Sequence, residues 1–282
     1  MNLSARAHKN LQSALAGALL GGLMASPRAG AAAVLNGLTA FTQGVLPFLF
    51  PFSCLAQLLA CGRRAPLWAL RLTGMLGGSP TGARLLAEVG DERAARRSAM
   101  MTGGVSPMFF AGTLALWLDS RAAGTILLAS HLGALALGGL LLPRGQARDI
   151  QTPEVSLPQA VAQSALAMLS VGGCIAMGAL AAALTGAFLP DVPRALLHAA
   201  LEMSGGCRTV ISLAWPRVPT LCLISAACAF SGAAILFQNA GYWRGVGISV
   251  VRLAGYGVIR AALSAALTFV MICICQAMKI AV

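Results

Sequence analysis

Charge is scarce in this chain. Only 10% of its 282 residues are Asp, Glu, Lys or Arg, against about 25% in soluble globular domains, which excludes an ordinary soluble fold. Segments of about ten residues with alternating polarity are missing, which excludes an outer-membrane barrel. The signatures of soluble enzymes are missing too: there is no Walker loop, no His-Glu-x-x-His and no dinucleotide fingerprint with an acidic partner. No nucleophile beside a base and no metal cluster is visible, so the chain does not read as an enzyme, and no cofactor is implied. Cys-x-x-Cys pairs and His-Cys clusters are likewise lacking. The eight cysteines (Cys54, Cys61, Cys174, Cys207, Cys222, Cys228, Cys273, Cys275) lie within or beside apolar runs and read as small buried hydrophobes.

What is there is apolar: 58% of the chain, in long runs divided by short polar joints. The runs fall at 11–26, 45–61, 98–118, 122–142, 160–189, 218–238 and 254–277. They predict an all-α integral membrane protein with about seven transmembrane helices, each near 20 residues. The net charge of +12 would suggest nucleic acid in a soluble protein. Here the basic residues sit in the joints, where they anchor and orient spans, so the expected partner is the lipid bilayer and not nucleic acid. Arg6 and Lys9 precede the first run, and Ala29-Gly30-Ala31 follows it. Residues 1–30 therefore read as a cleaved signal peptide or an uncleaved first span. The immediate sequel of Arg28 and a further helix favours the span, and either reading starts the chain in the cytoplasm.

Two shorter runs, 66–89 and 195–215, do not fit as spans. The first holds Gly77-Gly78-Ser79-Pro80-Thr81-Gly82 at its middle and the second Glu202-Met203-Ser204-Gly205-Gly206-Cys207. Each is too short for two crossings and too broken for one. A re-entrant helical hairpin resolves this, since irregular backbone at membrane depth is tolerated where it is buried in protein or lines a wet cavity. Gly77 and Gly205 are 128 residues apart, and Ser106 and Ser231 are 125 apart. Residues 31–145 and 158–280 then form two repeats, each reading span, hairpin, span, span. Three crossings per repeat place the second upside down relative to the first, an inverted repeat of the kind found in secondary transporters.

With the N-terminus inside, the cytoplasmic joints hold Arg6, Lys9, Arg63, Arg64, Arg93, Arg96, Arg97, Arg144, Arg148 and Arg244. The other side holds Arg28, Arg121, Arg194, Arg217 and Lys279. Ten against five agrees with the positive-inside tendency. Residues 31–44, with Leu35, Leu38 and Phe41 at helical spacing, are expected to lie along the interface.

Half-helices that end at a hairpin tip present unpaired peptide groups and dipole ends that bind polar solutes. Gly78, Ser79, Thr81, Ser204 and Gly205 are the candidate groups at the two tips. Glu202 is the acidic residue that lies inside an apolar run away from a joint. It should pair, bind a cation or a solute hydroxyl, or carry a proton, unless it sits near the outer interface against Arg208 or Arg194. The third span is interrupted at Gly103-Gly104-Val105-Ser106-Pro107, where Pro107 frees a carbonyl one turn earlier. Ser231-Gly232 and Gln238-Asn239 are softer interruptions. Ser106 and Gln238 would complete a midplane polar site. His131 reads as a satisfied buried histidine rather than a proton relay, and His8 and His198 as interfacial. Snorkelling accounts for Arg252 better than for Arg260.

Leu46-Pro47-Phe48-Leu49-Phe50-Pro51-Phe52, Gly77-Gly78-Ser79-Pro80-Thr81-Gly82-Ala83-Arg84, Ser106-Pro107-Met108-Phe109-Phe110, Glu202-Met203-Ser204-Gly205-Gly206 and Gln238 after Phe230-Ser231-Gly232 resemble, in order, YlbJ-type sporulation integral membrane proteins. That family belongs to the nucleoside-recognition, or Gate, group. Ser79 departs from the family's usual Gly-Gly-Tyr-Pro, and Gly205 stands where an amide residue is common. The resemblance implies a pair of Gate repeats that move a small polar, nucleoside-like solute by alternating access, with Na⁺ or H⁺ coupling. It also implies the bacterial inner (cell) membrane, in the mother cell or forespore, and a link to spore cortex formation. A homo-oligomer is compatible with it. The alternative is a non-transporting scaffold or assembly factor of the spore envelope that keeps the fold with an idle site.

Overall fold

The computed structural model describes residues 3–62, 64–87, 89–146, 149–152 and 154–279, with side chains over all of these except 3–12 and 15. Arg63 and Arg148, and the side chains of Arg6, His8 and Lys9, lie outside the described residues. Thirteen helical segments make up nearly all of the rest. α1 is Leu3–Ala25 and α2 is Pro27–Ala60, 34 residues long. Then come α3 (Leu67–Gly77), α4 (Thr81–Leu86), α5 (Glu92–Thr102), α6 (107–117) and α7 (Arg121–Leu140). α8 (Leu157–Gly186), α9 (Asp191–Leu201), α10 (Met203–Ser212), α11 (Arg217–Phe230), α12 (Gly232–Trp243) and α13 (Val250–Ala277) follow.

Among the described residues, five helices are long and apolar enough to cross a membrane: α2, α7, α8, α13 and Arg217–Val246, which joins α11 and α12. The chain is an all-α protein of membrane type. The expected first span is a shorter apolar stretch, Ala16–Ala25. A two-residue antiparallel pairing of Arg64–Ala65 with Ile150–Gln151 ties two joints together.

Residues 31–44 do not form a separate surface helix. They continue through one wide π-helical turn, Phe41–Val45, into Leu46–Ala60 as a single α2. The reason is packing on both ends. α2 runs antiparallel along α8, with Gly37 against Ala179 and Ile175, Phe41 against Gly172, and Gln57 Nε2 donating to Ser164 Oγ at 2.8 Å. Gly37 and Ala179 bring the two backbones close, so the small-residue face of 31–44, with Phe41, packs on α8, while Leu35 and Leu38 stay exposed.

The two interrupted runs are helical hairpins. α3 folds back on α4, with Gly74 against Gly82, and α9 on α10, with Gly206 against Ala199. His198 Nδ1 lies 3.0 Å from Thr209 Oγ1 inside the second hairpin, so that imidazole is held by its own hairpin partner. Two further helices break in mid-course. The chain leaves helix after Thr102 and resumes at Pro107, and Ser231 (φ +76°) and Gly232 (φ +73°) separate α11 from α12. Gln238 and Asn239, by contrast, continue α12 without interruption. α13 packs antiparallel on α7, with Gly133 against Leu267 and Ser130 against Met271. It meets α11 through a buried hydroxyl chain, Thr268 to Ser225 and Ser225 to Ser264, each 2.7 Å. Neighbouring apolar side chains such as Phe110, Leu127, Cys207 and Ile224 fill the core around these breaks.

Candidate functional site

Each hairpin tip rests on one of the broken helices. After Gly77 the chain turns through Gly78 at φ +66°. A Cβ there would stand 2.4 Å from Ser106 N, so only glycine lets this tip close on the gap between α5 and α6. Ser79 N then donates to Gly104 O at 2.9 Å, and Ser79 Oγ to Asn239 Oδ1 at 2.6 Å. The second tip turns at Glu202, which is extended (φ −139°) and caps α10. Its carboxylate accepts from Ser204 N at 2.8 Å, Ser204 Oγ at 2.6 Å and Gly205 N at 2.6 Å, so it satisfies the first-turn N–H groups of that half-helix. A Cβ on Gly232 would meet Met203 N at 3.1 Å, which puts this tip on the second break. The breaks themselves join where Ser231 Oγ donates to Gly103 O at 2.8 Å.

Both tips face one narrow cavity of about 40 Å³, room for about three or four waters at roughly 10–15 Å³ each. Ser79, Ser106, Glu202, Ser204 and Gln238 supply its polar surface, and Phe48, Phe109, Val171 and Ile175 its apolar walls. Both amide atoms of Gln238 are buried with no hydrogen-bond partner among the described residues. An amide left so loses about 1–3 kcal/mol for each unmade bond, and a ligand with a donor and an acceptor would recover it. The remaining three candidates stand outside this cavity. Gly78 lies behind the tip against Ser106, and Thr81 is buried against Gly77. Gly205 faces a second, open cleft.

That outer cleft is large, about 720 Å³, between α2, the end of α8 and the second hairpin. Asn36, Thr39, Gln43, His198 and Arg208 line it. Glu202 borders both the cleft and the narrow cavity, although it is only 3% exposed. The alternative for Glu202, an interfacial pairing with Arg194 or Arg208, is not formed. Arg194 pairs with Asp191 at 3.4 Å and bonds the carbonyls of Gly186 and Leu189, and Arg208 lies 5.2 Å over the Trp117 ring. His198 sits half-buried in this cleft. A third space of about 270 Å³ opens beside Gln57, Arg84, Glu154 and Gln163 near the Arg64–Ile150 pairing, with Arg84 bonded to Gln163.

Several participants escaped sequence reading. Asn239, which holds the Ser79 hydroxyl, carried no signal beyond its neighbour Gln238. The π turns Phe41–Val45 and Phe109–Leu114 meet each other, with Thr113 Oγ1 donating to Gly44 O at 2.5 Å, and both supply cavity walls. Such turns free a carbonyl and recur at functional sites. His131 is fully buried, tilted on Phe110 with ring centroids 4.8 Å apart and facing Gly104. Arg252 reaches Glu92 at 3.7 Å, a surface pair. All eight cysteines are free thiols; Cys54, Cys207 and Cys228 are buried, whereas Cys273 is exposed on α13. Among the described residues no three His, Cys, Asp or Glu side chains converge in a metal-ligating group. No protein-family model, curated protein or solved structure matches the chain.

Proposed function

We propose that the chain is a membrane transporter of a small polar, nucleoside-like solute, working by alternating access around the two hairpin tips. One observation carries the reading: Ser79, Ser106, Glu202, Ser204 and Gln238, drawn from both hairpins and both broken helices, line a single narrow cavity in which the Gln238 amide has no partner among the described residues. An amide buried with both of its polar atoms unpaired calls for a partner, and a polar solute in this cavity would supply one.

In this reading the two halves are inverted repeats. The order long helix, hairpin, broken helix, long helix occurs twice, as α2–α7 and α8–α13. The opening helices α2 and α8 run antiparallel, and so do the closing helices α7 and α13. The hairpin helices α3 and α9 have 11 residues each, about 16 Å at 1.5 Å per residue. That is half of a hydrocarbon core about 30 Å thick, which supports re-entry from opposite faces. The polar clefts then fall on opposite sides: the one lined by Arg208 outside, the one lined by Arg84 inside. Glu202 stands between the outer cleft and the cavity, and opening there would admit a solute that 40 Å³ cannot hold.

The test is a melting screen of the purified protein against nucleosides and other small polar solutes, in Na⁺ and at several pH values. The reading expects saturable stabilisation by one solute class that Gln238→Leu abolishes. A flat response across all solutes would instead favour an idle site and a scaffold role.

A further inference from the structure

Arg260 lies at the crossing of the two broken helices and is 1% exposed. A buried guanidinium must be paired, with a carboxylate or with main-chain carbonyls, and among the described residues each of its hydrogen bonds goes to a main-chain carbonyl. Nε donates to Ala229 O at 3.0 Å, Nη2 to Gly103 O at 3.1 Å, and Nη1 to Met100 O at 3.3 Å and Ala99 O at 3.4 Å. These acceptors are not scattered. Ala99 and Met100 belong to the last turn of α5 and Ala229 to the last turn of α11, where carbonyls have no helical donor. Gly103 O receives no helical bond from Pro107, four residues on, which has no N–H, and it accepts from Ser231 Oγ as well as from Arg260. The negative ends of two half-helix dipoles therefore converge on one charge.

Helix C-termini at a midplane break are where broken-helix transporters coordinate a dissociable cation. We propose that Arg260 is the resident cation of this junction. Its guanidinium fills a carbonyl cage made by Ala99, Met100, Gly103 and Ala229, so no metal ion is needed there, and removing it leaves a site for a small monovalent cation. Gly103 makes room for it, since a Cβ at that position would lie 2.5 Å from Nη1. Arg260 is thus a positioning residue: it locks α5 to α11 and, through Gly103-Gly104 and Ser79, holds the first hairpin tip. This does not depend on which solute, if any, is carried.

The test uses the full-length protein in detergent without any solute. Native protein should melt alike in sodium, potassium and choline chloride. Arg260→Ala should melt about 5–10 °C lower, because the carbonyls lose their charged donor. Millimolar guanidinium should restore at least half of that loss, whereas equal urea, its uncharged isostere, should restore none. Equal effects of guanidinium and urea would overturn the proposal, as would saturable sodium stabilisation of the native protein that Arg260→Ala removes. Should Arg260→Ala fail to fold, Arg260→Lys and Arg260→Gln decide: a higher melting temperature for Lys supports a charge requirement, and equal melting refutes it.

Discussion

Gly78→Ala should pry the first hairpin off the broken helix beneath it. The new Cβ would lie 2.4 Å from Ser106 N and 2.8 Å from Ser106 Cα, main-chain atoms that cannot rotate aside. Gly78 also holds φ +66°, ψ −175°, a region open essentially to glycine alone, at about 1–3 kcal/mol for other residues. Overpacking adds a further ~1–3 kcal/mol, for about 2–6 kcal/mol in all. At about 2–4 °C per kcal/mol in a chain of this size, the melting temperature should fall by at least about 4 °C. Tryptophan fluorescence during heating reads this directly, because Trp68, Trp117, Trp215 and Trp243 are spread along the fold. Gly173→Ala is the matched control. It lies within α8 with no atom inside 4 Å of the new Cβ, and should hold or raise stability by up to about 1 kcal/mol. If Gly78→Ala melts within about 1 °C of the native protein while the control behaves as expected, the tip does not rest on the Ser106 backbone and the cavity is wrongly drawn.

Glu202→Gln would set an amide N–H against a main-chain donor that the carboxylate now accepts. A loss of about 1–3 kcal/mol is expected, visible as a lower melting temperature; unchanged melting would mean that Glu202 does not cap α10. Gln238→Leu should do the opposite, keeping or raising stability because it removes an unpartnered amide, while any solute-dependent shift disappears. Thermal scans with and without solute separate the two, and a strong loss of stability in Gln238→Leu would show that the amide serves the fold. Gly37→Ala would push a methyl to 3.0 Å from the Ala179 methyl and 3.4 Å from Ile175 O, so it should cost about 1–3 kcal/mol in the same assay.

Long apolar runs, two glycine-rich hairpins and the interruption at Gly103–Pro107 were all legible in the sequence, because each rests on local chemistry: hydropathy, helix-breaking residues and a missing proline N–H. Five of the eight selected residues reach one cavity for the same reason, since tips and breaks are where unpaired peptide groups collect. What could not be read is long-range. Asn239 holds Ser79 across 160 positions, and Arg260 reaches Ala99 across 161. Neither distance leaves a local pattern. Residues 31–44 look amphipathic enough for an interface, but the partner that packs on their small-residue face, α8, begins more than a hundred residues later. The π turns likewise follow from tertiary contact, through Thr113 and Gly44, and not from composition.

Protease-site insertion in sealed, oriented membrane vesicles addresses the two hairpins most directly. Sites placed at Gly62 and Gly90 flank the first hairpin, and sites at Phe188 and Pro216 flank the second; all four positions are exposed or half-exposed joints. Re-entry predicts cleavage at Gly62 and Gly90 from the cytoplasmic side only, and at Phe188 and Pro216 from the opposite side only. Cleavage of Gly62 and Gly90 from different sides would make the first hairpin a crossing, and the shared cavity between opposed tips would go with it.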